Sequence, residues 1–282
     1  MANVVSFRES IASPGDAGGV VAILTEPESE ITGQQRPSVT LLNAGVIHRV
    51  GPHRLHVRLA RALAATGFPA LRLDLSGIGD SRPLTEGLTF RESAVADIRT
   101  ALDWQAARLG DAPAILFGIC SGADNALAAA LQDTRVAGIV LVDPHAYATR
   151  RARLRQLRRM GPRALLRRVG ARLLPRASRA SRAHAGDGAP GGSARQPPPR
   201  EDMRGQLQAL VARGVRILSI HTLAQGQRNN HVDQVFESFP ELRGKVDTLY
   251  FPRANHTFTA LSEQAALIDA VVQWCGRRFP AS

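Results

Sequence analysis

Short apolar runs along this chain alternate with stretches in which apolar residues recur every three or four positions. The runs Ser38–Asn43, Pro69–Asp74, Pro113–Phe117, Val136–Val142, Val215–Thr222 and Val246–Phe251 read as strands buried on both faces. Helical stripes fall between them. Leu55, Leu59 and Leu63 line one face of Pro52–Ala65, and Ala94, Ile98 and Leu102 one face of Arg91–Leu109. Ala123–Leu131, Met203–Arg213, His231–Ser238 and Leu261–Phe279 follow, the last with Ile268, Val271, Val272 and Cys275 as its buried stripe. Val4–Phe7 and Gly19–Thr25 predict an antiparallel start. The alternation predicts an α/β protein whose mostly parallel sheet is covered by helices on both faces, with any site at the carboxyl ends of the strands.

The alternation breaks once. Residues 147–175 predict two short amphipathic helices split at Gly161-Pro162, with Leu154, Leu157, Leu165, Val169 and Leu173 on one side and arginines around them. Residues 176–200 are rich in Ser, Ala, Gly, Pro and Arg, a composition that buries too little apolar surface to order itself. The chain therefore divides into a first core part (1–146), an insertion (147–205) containing a disordered tract at 176–200, and a second core part (206–282). Inserted after a strand end, 147–205 is expected to lie over the site as an Arg-rich helical lid.

Charge follows the same division. The chain carries a net +12. Residues 150–200 hold fifteen arginines against the single acid Asp187, which places +14 there and leaves −2 for the remainder. The basicity belongs to one segment, so nucleic acid is not the expected partner of the domain. A basic amphipathic stretch at 150–175 fits either a lid whose apolar face covers an acyl pocket or peripheral contact with an anionic membrane. No apolar run reaches the ~18 residues of a membrane span, and no signal peptide is apparent at the N-terminus. Two cysteines make no disulfide framework, so a reducing, cytoplasmic location is expected, with peripheral membrane contact as the variant. No metal-ligand spacing, phosphate-binding loop or dinucleotide fingerprint occurs, and no cofactor is expected.

The candidate chemistry lies in Gly118-Ile119-Cys120-Ser121-Gly122. A strand leads in and a helix leads out, the layout of a nucleophile elbow. Glycines two residues either side permit a tight turn that lifts the central side chain above the helix N-terminus. Here that side chain is a thiol, and a helix N-terminus with a histidine partner favours the reactive thiolate. Ser121 is flanked two residues away by Ile119 and Ala123, so the elbow is not centred on it. His256, after the last strand, is the candidate base and acid. Asp143, ending the Val136–Val142 strand, is the favoured orienting carboxylate, with Asp233 the alternative acid. Asn229 or Asn230 could orient the ring instead. Backbone N–H groups of Ser121 and Val46, or Ile47 in place of the latter, are the expected oxyanion donors. Arg49 and Arg54 flank that loop as candidate ligands for a substrate carboxylate or phosphate.

With these residues the chain resembles the α/β-hydrolase superfamily over most of its length outside 176–200. The elbow carries the resemblance, together with Asp74-Leu75-Ser76-Gly77-Ile78-Gly79-Asp80-Ser81, which looks like a turn of the serine-aminopeptidase-like branch, and Ala254–Thr259, where the superfamily keeps its histidine. Asn43 to Ser81, including Arg49–Arg54, also resembles hydrolases associated with exosortase systems, which carry a cysteine in the elbow. Dienelactone hydrolases and polyhydroxyalkanoate synthases share a Gly-x-Cys-x-Gly elbow. The resemblance implies the α/β-hydrolase fold and a Cys-His-Asp acyl hydrolase acting on a small ester or thioester through an acyl-enzyme. Acyl transfer by the same triad, or a non-catalytic membrane- or polyanion-binding protein on this scaffold, are the alternatives.

Overall fold

The computed structural model describes residues 6–15, 19–28, 36–84, 86–159, 196–225 and 229–280. Eight strands form one sheet: β1 (Phe7–Ala12), β2 (Ala22–Pro27), β3 (Ser38–Leu42), β4 (Ala70–Leu73), β5 (Ala114–Ile119), β6 (Val136–Val142), β7 (Arg216–Thr222) and β8 (Asp247–Phe251). Their order is β1-β2-β4-β3-β5-β6-β7-β8. β1 and β2 pair antiparallel, as do β2 and β4; every pairing from β4 through β8 is parallel. The parallel strands are buried on both faces, which is why they read as continuous apolar runs.

Among the described residues seven helices accompany the sheet: α1 (Leu55–Ala64), α2 (Phe90–Leu109), α3 (Ser121–Gln132), α4 (Arg150–Arg159), α5 (Arg200–Ala212), α6 (Gln234–Ser238) and α7 (Leu261–Arg278). On one face Leu59 and Leu63 of α1 and Val271 and Trp274 of α7 pack with Phe117 and Val140. On the other, Ile98 and Leu102 of α2, Leu127 of α3 and Leu207 and Leu210 of α5 pack with Leu116, Ile139 and Ile217. At roughly 25 cal/mol per Å² of apolar surface removed from water, these two layers are the main source of stability.

Three expectations shift. Of the expected Val4–Phe7 strand, Val4 and Val5 lie outside the described residues; β1 runs on from Phe7 to Ala12, and its polar sequence is held by charge: Glu9 accepts from Arg72 at 2.8 Å and Arg61 at 2.6 Å. α6 begins at Gln234 rather than His231, because Asp233 N–H donates to His231 Nδ1 (3.1 Å) and closes a local turn. α1 begins at Leu55, after left-handed backbone at His53 and Arg54 (φ 48° and 61°). Of the expected insertion, α4 and the start of α5 are described. The break at Gly161-Pro162, the second amphipathic helix and residues 176–195 lie outside the described residues. Among those described, no helix is long and apolar enough to cross a membrane.

Candidate active site

Cys120 follows β5 directly and precedes α3 with φ 58° and ψ −117°, a conformation an L-residue adopts at a cost of about 1–3 kcal/mol. The flanking glycines make it possible. A Cβ on Gly118 would lie 2.1 Å from the carbonyl carbon of Gly122, and one on Gly122 would lie 2.6 Å from the Asn43 carbonyl oxygen. The turn thus presents the thiol at the N-terminus of α3, where the unpaired N–H groups and the helix dipole favour negative charge.

Asp143 follows β6 directly, fully buried and also at positive φ (49°). Its Oδ2 accepts from His256 Nδ1 at 2.7 Å and from the Thr222 hydroxyl at 2.7 Å, and its Oδ1 accepts from the Thr222 N–H at 2.8 Å. The His256 pKa is pushed up to about 10, first by its hydrogen bond to Asp143 and next by one to Cys120, with burial opposing. The His256 ring thus lies between Asp143 and Cys120, and both neighbours favour its protonated form. His221, buried beside Asp143, is driven down to about 4 by desolvation and stays neutral near pH 7, so the ring that carries charge next to Asp143 is His256.

The loop after β3 closes over the elbow. Ile47 N–H donates to Ala44 O (3.1 Å), Gly45 N–H donates to the Ser121 hydroxyl (2.9 Å), and Val46 stands 84% exposed at the tip. Ser121 is the first residue of α3, so its own N–H has no intrahelical acceptor. Asn43 fastens the base of the loop: its Nδ2 donates to Ile47 O (3.0 Å) and Asp74 Oδ1 (3.2 Å), and its Oδ1 accepts from Leu75 N–H (2.8 Å). The fully buried Asp74 also takes the Arg49 backbone N–H and guanidinium. Gly79 is obligatory beneath it, since a Cβ there would meet Asp74 Oδ2 at 2.1 Å.

Several sequence candidates sit elsewhere. Arg49 bridges Asp74 and Asp80, the latter at 2.7 Å. Arg54 is exposed at the N-cap of α1. Asp233 precedes α6 and pairs with Arg243 at 3.5 Å. Asn229 accepts from His231 N–H, and Asn230 contacts α4 through Ala152 O and Arg155. A cavity of about 40 Å³ lies behind the acid between α3 and α5, bordered by the Asp124–His145 pair (3.3 Å) and by His221. That is room for water rather than a substrate. Cys275 is buried in α7, its thiol pushed up to about 12 by desolvation. Thr222, which holds both carboxylate oxygens of Asp143, was not singled out from the sequence. Nothing in the local sequence marks it; it becomes visible only once β6 and β7 are known to be neighbours. Among the described residues no group of three or more His, Cys, Asp and Glu side chains could hold a metal ion.

A family model described as the alpha/beta hydrolase fold matches residues 43–172. No curated protein matches the chain. Among solved structures, a serine hydrolase without a lid from Xanthomonas campestris is 17% identical, with 98% of this chain and 96% of that one covered and a TM-score of 0.55. A dienelactone hydrolase from Anabaena variabilis is 15% identical, with 97% and 98% covered and a TM-score of 0.53. A puromycin-hydrolyzing peptidase of Mycobacterium tuberculosis is 16% identical at a TM-score of 0.60, all of this chain matching 41% of that longer one. By its sheet order, its family-model match over residues 43–172 and these likenesses, the chain has the α/β-hydrolase fold.

Proposed function

We propose that the chain is a hydrolase of small acyl esters or thioesters with Cys120 as nucleophile, His256 as proton carrier and Asp143 as the orienting acid. The observation that carries this reading is the continuous hydrogen-bonded chain from Asp143 Oδ2 through His256 to Cys120, with the thiol at a strained elbow. Relatives in fold include a serine hydrolase and a dienelactone hydrolase; here a thiol occupies the elbow.

Because His256 holds its proton up to about pH 10, and an imidazolium together with a helix N-terminus favours the thiolate, the resting pair is thiolate and imidazolium. The thiolate adds to the acyl carbonyl. The backbone N–H groups of Ser121 and Val46 are the proposed donors to the oxyanion that forms. As the carbon–leaving-group bond breaks, the His256 imidazolium gives its proton to the departing oxygen or sulfur. Neutral His256 then takes a proton from water as the water attacks the thioester on Cys120, free acid leaves, and the thiolate–imidazolium pair is restored. Asp143 keeps the ring oriented and stabilises its charge throughout.

The test is Cys120→Ala with short-chain acyl esters and thioesters, read beside intact-protein mass after treatment with an activated acyl probe. Loss of turnover and of the acyl adduct is expected. Full turnover in the variant, or an adduct on another residue, overturns the reading. Product analysis with alcohol or amine acceptors present separates hydrolysis from acyl transfer.

A further inference from the structure

α4 is mounted with its polar side inward. Ala152 is buried and Arg155 reaches back into the domain, donating to Glu237 (2.5 Å) and Asn230 (2.8 Å). Thr149 and Asn230 add hydrogen bonds to Glu237 and to the Ala152 carbonyl. These contacts fix the helix rotation. Leu154 and Leu157 then point outward, 49% and 40% exposed. At 100° per residue they lie about 60° apart on the outer face with Arg150 between them, Arg153 on one flank and Arg151 and Arg158 on the other, all four arginines exposed. A helix that serves only a protein core places its leucines toward that core. Here the leucines face away, and Arg150, Arg153 and Arg158 make no ion pair with an acid among the described residues.

We propose that the outer face of α4 is a docking surface for an anionic lipid bilayer, the arginines meeting headgroup phosphates and Leu154 and Leu157 entering the acyl boundary. Charge complementarity selects an anionic surface, and the apolar centre selects a lipid over a purely polar polyanion. α4 begins seven residues after Asp143, so this contact would hold the catalytic end of the sheet near the bilayer. The inference is independent of the acyl chemistry proposed above.

The experiment is co-sedimentation of the full chain with vesicles of phosphatidylcholine alone or mixed with phosphatidylglycerol. Binding is expected only to the mixed vesicles and is suppressed by salt. Arg150→Gln/Arg153→Gln/Arg158→Gln should weaken partitioning about a hundredfold, at about 1 kcal/mol per arginine. Leu154→Ser/Leu157→Ser should weaken it while leaving the melting temperature unchanged. Three results overturn the proposal: equal binding to both vesicle types; undiminished binding by the arginine variant; or a melting temperature lowered by the leucine variant, which would mean that part of this chain covers those leucines. Binding to single-stranded RNA that ignores the leucine change would assign the face to nucleic acid instead and equally refute a lipid partner.

Discussion

Thr222→Val tests the support of the candidate acid without touching the reacting atoms. The substitution preserves shape and the backbone N–H bond to Asp143 Oδ1 (2.8 Å) but removes the hydroxyl that donates to Oδ2 at 2.7 Å. That oxygen is the one that receives His256 Nδ1. Asp143 is fully buried, so no water replaces the lost donor. A hydrogen bond to a charged group contributes about 1.5–3 kcal/mol. If the loss falls on stability, Tm drops on the order of 5 °C. If it falls on the transition state, where the imidazole must hold its aim while its proton moves, kcat drops roughly 10- to 100-fold. Thr222 does not face the substrate, so KM should be unchanged, and Thr222→Ser, which restores the hydroxyl, should recover kcat. Steady-state kinetics on a short acyl ester with parallel thermal melts measures both. A lowered Tm with wild-type kcat would make Thr222 purely structural. Wild-type values for both would refute the argument that this hydroxyl positions the acid.

Asp143→Asn removes the largest cause of the raised His256 pKa, so the ring should titrate back toward the ordinary histidine value from about 10. A raised pKa stabilises the protonated, folded form fully below the unfolded value, and that contribution is lost as pH climbs through the folded one. The wild-type pair should therefore persist until near pH 10, while the variant loses it near neutrality. Alkylation of Cys120 against pH reads the companion effect, because without an imidazolium beside it the onset of the thiolate should move up toward the ~8.5 of a free thiol, while buried Cys275, with its thiol at about 12, stays unmodified. A wild-type profile in the variant would exclude Asp143 as the partner that sets His256. Arg49→Gln leaves the buried Asp74 carboxylate without its guanidinium and should cost about 3–5 kcal/mol in denaturant unfolding; equal relative activity on anionic and neutral esters should accompany it, and selective loss on anionic ones would show that Arg49 binds substrate. Gly118→Ala places a methyl 2.1 Å from the Gly122 carbonyl carbon and should prevent accumulation of folded protein; a variant with wild-type Tm would contradict the close turn.

The parallel strands were legible because burial on both faces leaves no polar alternation to confuse them, and the elbow because its two glycines answer a steric demand visible in the sequence. The rest depended on partners distant along the chain. β1 reads as polar because its Glu9 is neutralised by Arg61 and Arg72, more than fifty residues away. The leucine stripe of α4 was evident, but not which way it faces, since that is set by Arg155 meeting Asn230 and Glu237. The sequence left Asp143 and Asp233 both open as the acid. Strand order separates them: Asp143 sits at a strand end next to β7, whereas Asp233 lies beyond the 3-10 turn Leu223–Gln225, paired with Arg243.

The sheet register explains why two strained residues, Cys120 and Asp143, coexist. Ile119 pairs with Val142, the last residues of β5 and β6, and Val142 pairs with Ile220, two residues before the end of β7. The ladder then runs one residue further: Cys120 N–H donates to Val142 O (2.9 Å) and Asp143 N–H to Ile220 O (2.8 Å). Each residue is thus held by its neighbour's strand while its φ turns positive and swings the side chain off the sheet edge. Two such conformations cost on the order of 1–3 kcal/mol each, and the extended ladder over-determines both. His256 arrives differently, on a loop closed by Asn255 bonding Thr259 through both its amide nitrogen (2.8 Å) and oxygen (3.0 Å). Cys120 and Asp143 are therefore fixed by the rigid sheet, and His256, 36% exposed on its loop, is the one of the three free to tilt in the proposed mechanism. A proton carrier that must serve first the leaving group and then water requires that freedom, and the bond to Asp143 limits how far the ring can swing.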